Sequence, residues 1–499
     1  MIESMRTKAP IILAVLVIAM SAANAEKSSA VELGPNDSPD QILAKAVSVV
    51  PSDRQIAWQQ VEFAAFLHFG MNTFTDREWG EGTEDEKLFN PTDFDARQWM
   101  RAVKAAGIRM VILTCKHHDG FCLWPSKYTE HCVRNSPWRD GKGDVVAEVA
   151  KAAHEAGLKF GIYVSPWDRH DKSYGDSAVY NEHMKNQLRE LLTGYGEIAE
   201  VWFDGACGEG PNGKRQEYDW DGYYGVIREL MPKAAIAICG PDVRWCGNEA
   251  GSTRASEWSV IPGGIDASAQ DVGSRDVLAA AAKRGAWLTW HPSEVDTSIR
   301  PGWFYHASED DKVRPLRDLL SIYFGSVGGN AQLLLNIPPD RRGRISDHDV
   351  QRLQEIGDYL RATFATNLAA GAKASATNVR GHDPKYGADK TVDGDAETYW
   401  ASDDGVTEAA ITYEFAAPKT FNTAVIQEQI RTGQRIEEFA LYAWADGDWK
   451  EIAHATTVGH KRILRFPEVT TEKVRLRISQ SRVSATIANF GLYEAPAIP

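Results

Sequence analysis

The sequence predicts an α/β fold, a (β/α)8-like TIM barrel, followed by an all-β sandwich. Between residues 60 and 365, apolar runs alternate with amphipathic segments, as in a parallel sheet wrapped by helices. After Phe364 the composition shifts to Thr, Val, Ala and turn residues in short alternating segments, which is typical of a sandwich. A chain of 499 residues is also too long for one ordinary hydrophobic core, so two domains are expected.

The barrel is predicted from a repeating cycle of strand and helix. Each strand is a short apolar run, and each helix has apolar residues at helical spacing. An eighth strand is expected in the irregular region from Glu257 to Val260, where it would close the barrel. The other predicted strands are residues 63–70, 109–118, 159–166, 197–205, 234–239, 287–290 and 331–339, and the helices are 95–107, 144–156, 178–194, 220–231, 310–324 and 346–363.

The N-terminal residues have the pattern of a cleavable signal peptide. Arg6 and Lys8 precede an apolar run from residue 11 to 20, and Ala23 to Ala25 match the A-x-A cleavage pattern. The run is about half the roughly 20 residues of a membrane-spanning helix, which makes a permanent anchor the weaker interpretation. We therefore expect residues 1–25 to be removed after Ala25 and the protein to be periplasmic or secreted. The remaining domains are then 26–366 for the barrel and 367–499 for the sandwich.

The net charge and the cysteines limit the classes of partner. A formal charge of −14 disfavours nucleic acid and anionic membranes as partners. The six cysteines allow fifteen disulfide connectivities, and the sequence selects none of them. Their spacing matches no zinc pattern.

Polar and aromatic residues cluster at the predicted carboxyl ends of the strands, where barrels of this kind build their active sites. Such clustering on several strands favours a catalytic or binding site over chance. The residues at these ends are His68, His117, His118, Tyr163, Trp167, Trp202, Asp204, Glu294 and Asn336.

Asp204 is the principal candidate for catalysis because it closes the apolar strand IAEVWFDG. Asp-Gly is also a common turn pair, so a structural role is the alternative. Glycosidic hydrolysis needs a second carboxyl group, which protonates the leaving oxygen. Glu249, Glu257 and Glu294 all fall on the same side of the barrel, and spacing alone does not rank them.

A metal site is an alternative interpretation of His117 and His118 with Asp119. Neighbours on a strand point to opposite faces, and a retaining glycosidase needs no metal. We therefore expect no metal ion at this position.

Six segments of the barrel together resemble the α-L-fucosidases of glycoside hydrolase family 29. They extend through nearly the whole barrel, and their combination is far more specific than any one of them. The segments are LHFGMNTF (67–74), REWGEG (77–82), TCKHHDGFCLWPS (114–126), VWFDG (201–205), SIRPGWFYH (298–306) and LLLNIPPDRRG (333–343).

This resemblance implies residue roles. Asp204 is implied as the nucleophile of a retaining mechanism with a covalent fucosyl-enzyme intermediate. Glu249, in a GNEAG context similar to the branch that cleaves α-1,3 and α-1,4 linkages, is implied as the acid/base, with Glu257 as the alternative. The fucose ring is implied to bind His68, Glu78, Trp79, His117, His118, Tyr163, Trp202 and Trp303.

The segment ADKTVDGDAETYWAS (388–402) resembles the opening of discoidin-type, galactose-binding-like sandwiches. Such modules often bind carbohydrate, and some hold calcium near the acidic turn that corresponds to Asp393 and Asp395. The alternative is that the sandwich only packs on the barrel and helps to shape its leaving-group side.

The expected function is hydrolysis of terminal α-1,3/1,4-linked L-fucose from fucosylated glycans, without a cofactor. Two alternatives remain: another exo-glycosidase on the same barrel, or a barrel without turnover that only binds glycans. The presence of both Asp204 and Glu249 favours an enzyme.

Overall fold

The computed structural model of the protein describes residues 28–498, so the predicted signal peptide lies outside the described residues. In this part of the chain, no helix is both long enough and apolar enough to cross a membrane.

The first domain alternates strands and helices, as the sequence predicts. In chain order its elements are β1 (Ala30–Glu32), α1 (Pro39–Ser48), α2 (Asp53–Gln59), β2 (Phe63–Leu67), α3 (Met71–Thr75), α4 (Ala96–Ala105), β3 (Met110–Lys116), α5 (Val145–Glu155), β4 (Lys159–Val164), α6 (Ser177–Gly194), β5 (Glu200–Phe203), α7 (Trp220–Leu230), β6 (Ala235–Ile238), β7 (Arg244–Trp245), β8 (Val260–Pro262), α8 (Arg275–Ala282), β9 (Trp287–Trp290), β10 (Ser293–Ser298), α9 (Leu316–Ser326), β11 (Ala331–Asn336) and α10 (Asp347–Thr363).

Eight parallel strands form a nearly closed barrel, in the order β6-β5-β4-β3-β2-β11-β10-β7. The gap between the first and last of these strands is bridged by a single parallel pair, Ala237 and Val243. Because the strands are parallel, their carboxyl ends all lie at one mouth of the barrel. The predicted fold class is confirmed.

Two predicted barrel strands are wrong. Residues 287–290 form β9, which pairs antiparallel with β1 and β8 in a small separate sheet. The region from Glu257 to Val260 leads into β8 of that sheet. The barrel is completed instead by β7 and β10, which pair with each other. The sequence of β10, SEVDTS, is polar although every residue is buried, so an apolar-run criterion overlooks it.

The second domain is built from antiparallel strands. Its six-stranded sheet has the order β12-β14-β17-β15-β16, with β19 also paired to β14, and β13 pairs with β18. The predicted domain boundary near residue 367 falls between the end of α10 and the start of β12. The strands are β12 (Lys373–Ala376), β13 (Trp400–Ala401), β14 (Ala409–Gln427), β15 (Ile436–Ala445), β16 (Asp448–Ala455), β17 (Arg462–Ser481), β18 (Thr486–Ile487) and β19 (Asn489–Tyr493).

Candidate active site

A cavity of about 380 Å³ lies at the carboxyl ends of the barrel strands and is lined by ten of the predicted site residues, whereas Trp167, Glu294, Asn336 and the alternative acid Glu257 do not line it. The strands and the loops that follow them deliver these side chains from distant parts of the sequence. The predicted residues that line it are His68, Glu78, Trp79, His117, His118, Tyr163, Trp202, Asp204, Glu249 and Trp303.

Asp204 follows β5 directly, and hydrogen bonds hold its carboxyl group in one orientation. The Tyr163 hydroxyl donates to Oδ2 at 3.0 Å, and the Ala206 amide donates to Oδ1 at 2.7 Å. His118 Nε2 lies 3.8 Å from Oδ2. Burial and the charge of Asp204 raise the pKa of Tyr163 well above its usual value, so the phenol remains a donor. Asp204 is thus an oriented carboxylate at the cavity wall.

Glu249 lies in the loop after β7, at the exposed rim of the cavity. Partial burial raises its pKa, a side-chain hydrogen bond from Trp303 lowers it, and the charge of Asp204 raises it, with a net increase. The Thr297 hydroxyl donates to the Glu249 carbonyl at 2.9 Å and fixes the loop. A carboxyl group whose proton is retained by a nearby anion can act as a general acid.

Glu257, the alternative acid/base, lies elsewhere. It is fully buried, and its carboxylate pairs with the guanidinium groups of Arg244 and Arg254. One carboxylate oxygen contacts each guanidinium group, so the side chain is engaged away from the cavity. Glu257 therefore has a structural role beside the barrel.

Glu294 lies in the barrel interior below the cavity. Its Oε1 accepts the indole hydrogen of Trp202 at 2.7 Å. Burial and the neighbouring Glu200 raise the pKa of Glu294 well above its usual range. This carboxyl group supports Trp202 from below.

His68 presents a hydrogen-bond acceptor. The Asn336 amide nitrogen donates to the Trp303 carbonyl at 2.8 Å, so the amide oxygen of Asn336 is an acceptor. His68 Nδ1 lies 2.8 Å from that oxygen and must carry the ring proton. Burial lowers the pKa of His68 to about 3, which keeps the ring neutral. Its Nε2 is left with a lone pair.

His117 presents the opposite polarity. The Asn72 amide nitrogen donates to the Glu78 carbonyl at 3.0 Å and lies 3.3 Å from His117 Nδ1, which therefore accepts. Burial, with a smaller effect of His118 and His68, lowers the pKa of His117 well below its usual value. In this neutral tautomer Nε2 carries the proton and can donate.

His118 follows His117 and lines the same cavity, so the prediction that these neighbours point to opposite faces is wrong. The physical reason is that β3 ends at Lys116, and beyond its end the alternation of a strand no longer applies. The two ring centroids are 4.1 Å apart. His118 Nδ1 lies 2.7 Å from Ser165 Oγ, which itself donates to the Trp167 carbonyl, so Nδ1 carries the proton.

Aromatic rings form the remaining walls. Trp202 stacks on Tyr163, with centroids 5.3 Å apart, and Phe66 meets the edge of Trp202 at 5.1 Å. Trp303 lies 5.2 Å from His68. Trp79 is exposed at the lip of the cavity, where its ring contacts Trp167 and His118.

Glu78 makes most of its contacts with the loop that carries Trp303. Its carboxylate accepts the amide hydrogens of Trp303 at 2.8 Å and Phe304 at 3.1 Å, and it lies 2.7 Å from His306 Nε2. Burial opposes the charged form of His306, but its hydrogen bonds to Asp76 and Glu78 outweigh burial and raise the pKa of His306. Glu78 thus positions Trp303 and also lines the cavity.

Six lining residues are not among the predicted site residues: Phe66, Ile238, Gly205, Ala206, Trp245 and Asp296. The first two are hidden in apolar strands, and Trp245 precedes the loop that carries Glu249. Asp296 lies in β10, where Glu294, Asp296 and Ser298 alternate at period two. That alternation of polar side chains was the signal for a strand that turns polar groups inward.

Within residues 28–498, no group of three or more His, Cys, Asp or Glu side chains is arranged to hold a metal ion. In the predicted calcium turn, the Asp393 carboxylate accepts the Asp395 amide and the Thr398 hydroxyl. Calcium binding at that turn stays a prediction. All six cysteines are free thiols, and four of them are buried.

Comparison with known proteins gives consistent matches. A family model described as alpha-L-fucosidase matches residues 46–363, and one described as F5/8 type C domain matches residues 371–494. Alpha-L-fucosidase 1 of Arabidopsis thaliana is 44% identical over 449 residues, which cover 89% of this chain and 87% of the relative.

Two solved structures show the same architecture. One from Bacteroides ovatus is 47% identical, with a TM-score of 0.85, and the match covers 95% of this chain and 79% of the other. The fucose complex of a Ruminococcus gnavus GH29 fucosidase is 32% identical, with a TM-score of 0.80, and the match covers 93% and 99%.

Proposed function

The chain belongs to the α-L-fucosidase family, glycoside hydrolase family 29, and on this basis we propose a retaining exo-enzyme that removes terminal α-1,3/1,4-linked L-fucose from glycans. Membership makes the protein a glycoside hydrolase that acts on fucose-containing substrates. The retaining mechanism, the linkage preference and the residue roles are the proposal.

One observation carries the mechanism: an oriented carboxylate and a carboxyl group with a raised pKa line the same cavity. Asp204 lies close enough to Glu249 for its charge to raise the pKa of Glu249. In a retaining mechanism, one carboxylate attacks the anomeric carbon and the other group protonates the leaving oxygen. Asp204 suits the first role and Glu249 the second.

The same electrostatic coupling supports the second step. When Asp204 forms the ester with the sugar, its negative charge disappears, and the pKa of Glu249 falls. Glu249 then remains a carboxylate and can accept a proton from water as that water attacks the anomeric carbon. Release of the sugar restores the charge of Asp204 and with it the proton affinity of Glu249.

The histidines suit a ring with several hydroxyl groups. His68 offers an acceptor and His117 a donor, and both stay neutral because burial lowers the pKa of each ring. A site built to hydrogen-bond hydroxyls discriminates strongly against sugars that lack them, by about 10⁴-fold or more. The rings of Trp202, Tyr163 and Trp303 offer an apolar surface for the 6-methyl group of fucose.

The linkage preference and the localisation rest on the sequence alone. The GNEAG context of Glu249 supports the α-1,3/1,4 branch, and the signal-peptide pattern supports export to the periplasm or the medium. A panel of α-1,2-, α-1,3-, α-1,4- and α-1,6-fucosylated trisaccharides tests the first inference. Turnover of the α-1,2 and α-1,6 compounds as fast as that of the α-1,3 and α-1,4 compounds would contradict it.

The mechanism is tested by comparing wild type, Asp204→Ala and Glu249→Ala on an aryl α-L-fucoside and a fucosylated trisaccharide. Asp204→Ala is expected to lose about 10⁴-fold or more in kcat on both substrates. Glu249→Ala is expected to lose about 10²- to 10⁴-fold in kcat on the trisaccharide but to keep most of its kcat on the aryl fucoside. Added azide is expected to restore activity in this variant.

The buried Glu257 provides the matched control. Glu257→Ala is expected to lower stability, and azide should not restore its activity. Azide rescue of Glu257→Ala instead of Glu249→Ala would refute the acid/base assignment. NMR of the first-formed fucose tests retention, because the α-anomer must appear before mutarotation.

A further inference from the structure

One side of the cavity lies at the incompletely closed seam of the barrel. We call this side the seam wall, and it consists of Ile238, Trp245, Glu249 and Asp296. It is built from the end of β6, the two-residue strand β7 with its following loop, and β10. Ile238 has φ = 68°, a left-handed conformation that is costly for a β-branched residue and is commonly found near functional sites.

Trp245 is held in this wall by Asp296. Its indole Nε1 donates to Asp296 Oδ1 at 2.8 Å, and Asp296 is 5% exposed. Trp245 itself is half-buried. In the described part of the chain, its ring contacts no other aromatic ring, whereas Trp202, Trp303 and Trp79 each do. One indole is therefore fixed at its nitrogen while its surface remains uncovered by other rings.

The segment that carries Trp245 also carries Glu249, and β10 holds both ends of it. Trp245 pairs with Glu294 in the parallel ladder, and the Cys246 amide donates to the Glu294 carbonyl at 2.9 Å. The Thr297 hydroxyl binds the Glu249 carbonyl. The position of the indole relative to the acid is therefore set by backbone contacts, not by a free loop.

Under the proposed function, the cavity has a side that holds fucose and a side that holds the leaving group. Glu249 must face the oxygen that joins fucose to the leaving group. Trp202 and Tyr163, on the neighbouring strands β5 and β4, lie beside Asp204 and the fucose position. Trp245 and Asp296 come from β7 and β10, on the Glu249 side of the seam, so this part of the seam wall faces the leaving group.

We propose that Trp245, held by Asp296, is the surface on which the leaving-group sugar stacks, so that this pair determines specificity for an oligosaccharide. The ligand class is the apolar face of a pyranose attached to fucose, which an indole ring can cover while its N–H is engaged elsewhere. The inference rests on the proposed function and deepens it.

Asp296 is a positioning residue in this arrangement. Burial raises the pKa of Asp296 to about 7, with the Trp245 hydrogen bond lowering it and the charges of Glu249 and Asp204 raising it. An asparagine at this position can still accept the indole hydrogen, but an alanine cannot. Asp296→Asn is therefore the conservative variant and Asp296→Ala the disruptive one.

Binding is measured in an Asp204→Asn background, so that no turnover occurs, with a fucosylated trisaccharide and with free fucose as probes in calorimetry. Trp245→Ala is expected to raise the Kd of the trisaccharide about tenfold or more relative to that of fucose, as for a truncated aromatic anchor. Asp296→Ala should also raise the ratio of the trisaccharide Kd to the fucose Kd. In Asp296→Asn this ratio should stay close to that of the protein with Asp296. Trp287→Ala, which removes a 53% exposed tryptophan outside the cavity, is the matched control.

Kinetics on α-L-fucosyl fluoride, which has no leaving-group sugar, complete the test with an active nucleophile. The kcat/KM of the trisaccharide should fall more than that of the fluoride in Trp245→Ala. A change that acted only through Glu249 would produce the same kinetic pattern but would leave the trisaccharide Kd unchanged, which would overturn the inference. Equal losses of fucose and trisaccharide affinity would also overturn it.

Two further outcomes are distinguishable. If Trp245→Ala does not fold, Trp245→Phe takes its place, because it keeps a ring but removes the hydrogen bond to Asp296. An unchanged ratio of trisaccharide to fucose Kd in Trp245→Phe refutes the role of the pair. If the wild type hydrolyses neither substrate, the proposed function fails. If the wild type is active but the Trp245 and Asp296 variants leave the ratio of the trisaccharide Kd to the fucose Kd unchanged, only the present inference fails.

Discussion

Trp303 and Asp204 act on the pKa of Glu249 in opposite directions. The indole hydrogen bond of Trp303 stabilises the ionised form of Glu249, whereas the charge of Asp204 and partial burial stabilise the protonated form. The protonation of Glu249 therefore depends on its partial burial and on two residues that are distant from it in sequence. Glu78 contributes indirectly because it holds the backbone of Trp303.

Removal of the Trp303 indole nitrogen should move the pH dependence of catalysis. In Trp303→Phe, the ionised form of Glu249 loses a donor, so the pKa of Glu249 rises further. Glu249, the proposed general acid, then stays protonated to higher pH, and the alkaline limb of kcat/KM on a fucosylated trisaccharide is expected to shift to higher pH. Trp202→Phe removes an indole hydrogen that binds Glu294 instead, so its alkaline limb should stay in place. A downward shift in Trp303→Phe would contradict the assignment of Glu249.

At the scale of elements, a buried lysine at the end of β3 connects the barrel to α6. Lys116 Nζ lies 3.0 Å from Asp168 Oδ2 and 2.9 Å from the Gln187 side-chain oxygen. Burial alone would raise the pKa of Asp168, but the Lys116 charge, together with hydrogen bonds from the Asp171 amide and from Lys116, outweighs it and lowers that pKa to about 2. This contact fixes the strand end immediately before His117.

Lys116→Met should therefore destabilise the protein by about 3–5 kcal/mol near neutral pH, because Asp168 is left as an unpaired buried charge. The wild-type pKa of Asp168 lies below the unfolded value, so its contribution is present above about pH 4 and is lost as the pH falls through 2. In the variant the Asp168 pKa rises, so the difference in unfolding free energy should shrink as the pH is lowered.

Urea unfolding at several pH values measures this difference. Lys151→Met is the control, because its exposed pair with Glu155 spans 3.9 Å and contributes at most about 1 kcal/mol. A Lys116→Met difference that stays constant down to pH 2 would contradict the buried ion pair.

The elements themselves were unequally predictable. The apolar runs that became β2 to β6 and β11 are visible in the sequence because fully buried parallel strands have no polar face. By contrast, β10 is a polar segment inside the barrel, and β7 is two residues long. The apolar WLTW run predicts a barrel strand but forms β9 of the small separate sheet, because apolarity does not specify the sheet in which a strand pairs.

At the scale of the whole molecule, the barrel and the sandwich share a buried polar contact centred on Glu257. The Gln434 side chain donates to the Glu257 carbonyl at 2.9 Å and accepts the Ser259 amide at 2.7 Å. The Glu257 amide donates to the Thr457 hydroxyl at 3.0 Å. Since Glu257 also pairs with Arg244 of β7, the sandwich supports the seam of the barrel.

This contact predicts that the two domains unfold together. Gln434→Ala leaves the Ser259 amide without its partner and removes one of the two side-chain donors to the Glu257 carbonyl, and should cost about 1–3 kcal/mol. Calorimetry should show one transition that moves to a lower temperature as a whole. Gln354→Ala, an exposed position on α10, should leave the transition in place. Two separate transitions, with only one displaced, would show that the domains are independent.

The sequence by itself determined the fold class and the strand ends at which the polar residues gather, because hydrophobic periodicity is a local property of the chain. The family motifs add the set of side chains that the structure brings to one cavity. Only the tertiary structure decided that Glu249 reaches this cavity while Glu257 is buried between two arginines, that β7 and β10 complete the barrel, and that Asp296 holds Trp245. These outcomes depend on contacts between residues far apart in the chain, and no short segment of sequence determines the free energies of such contacts.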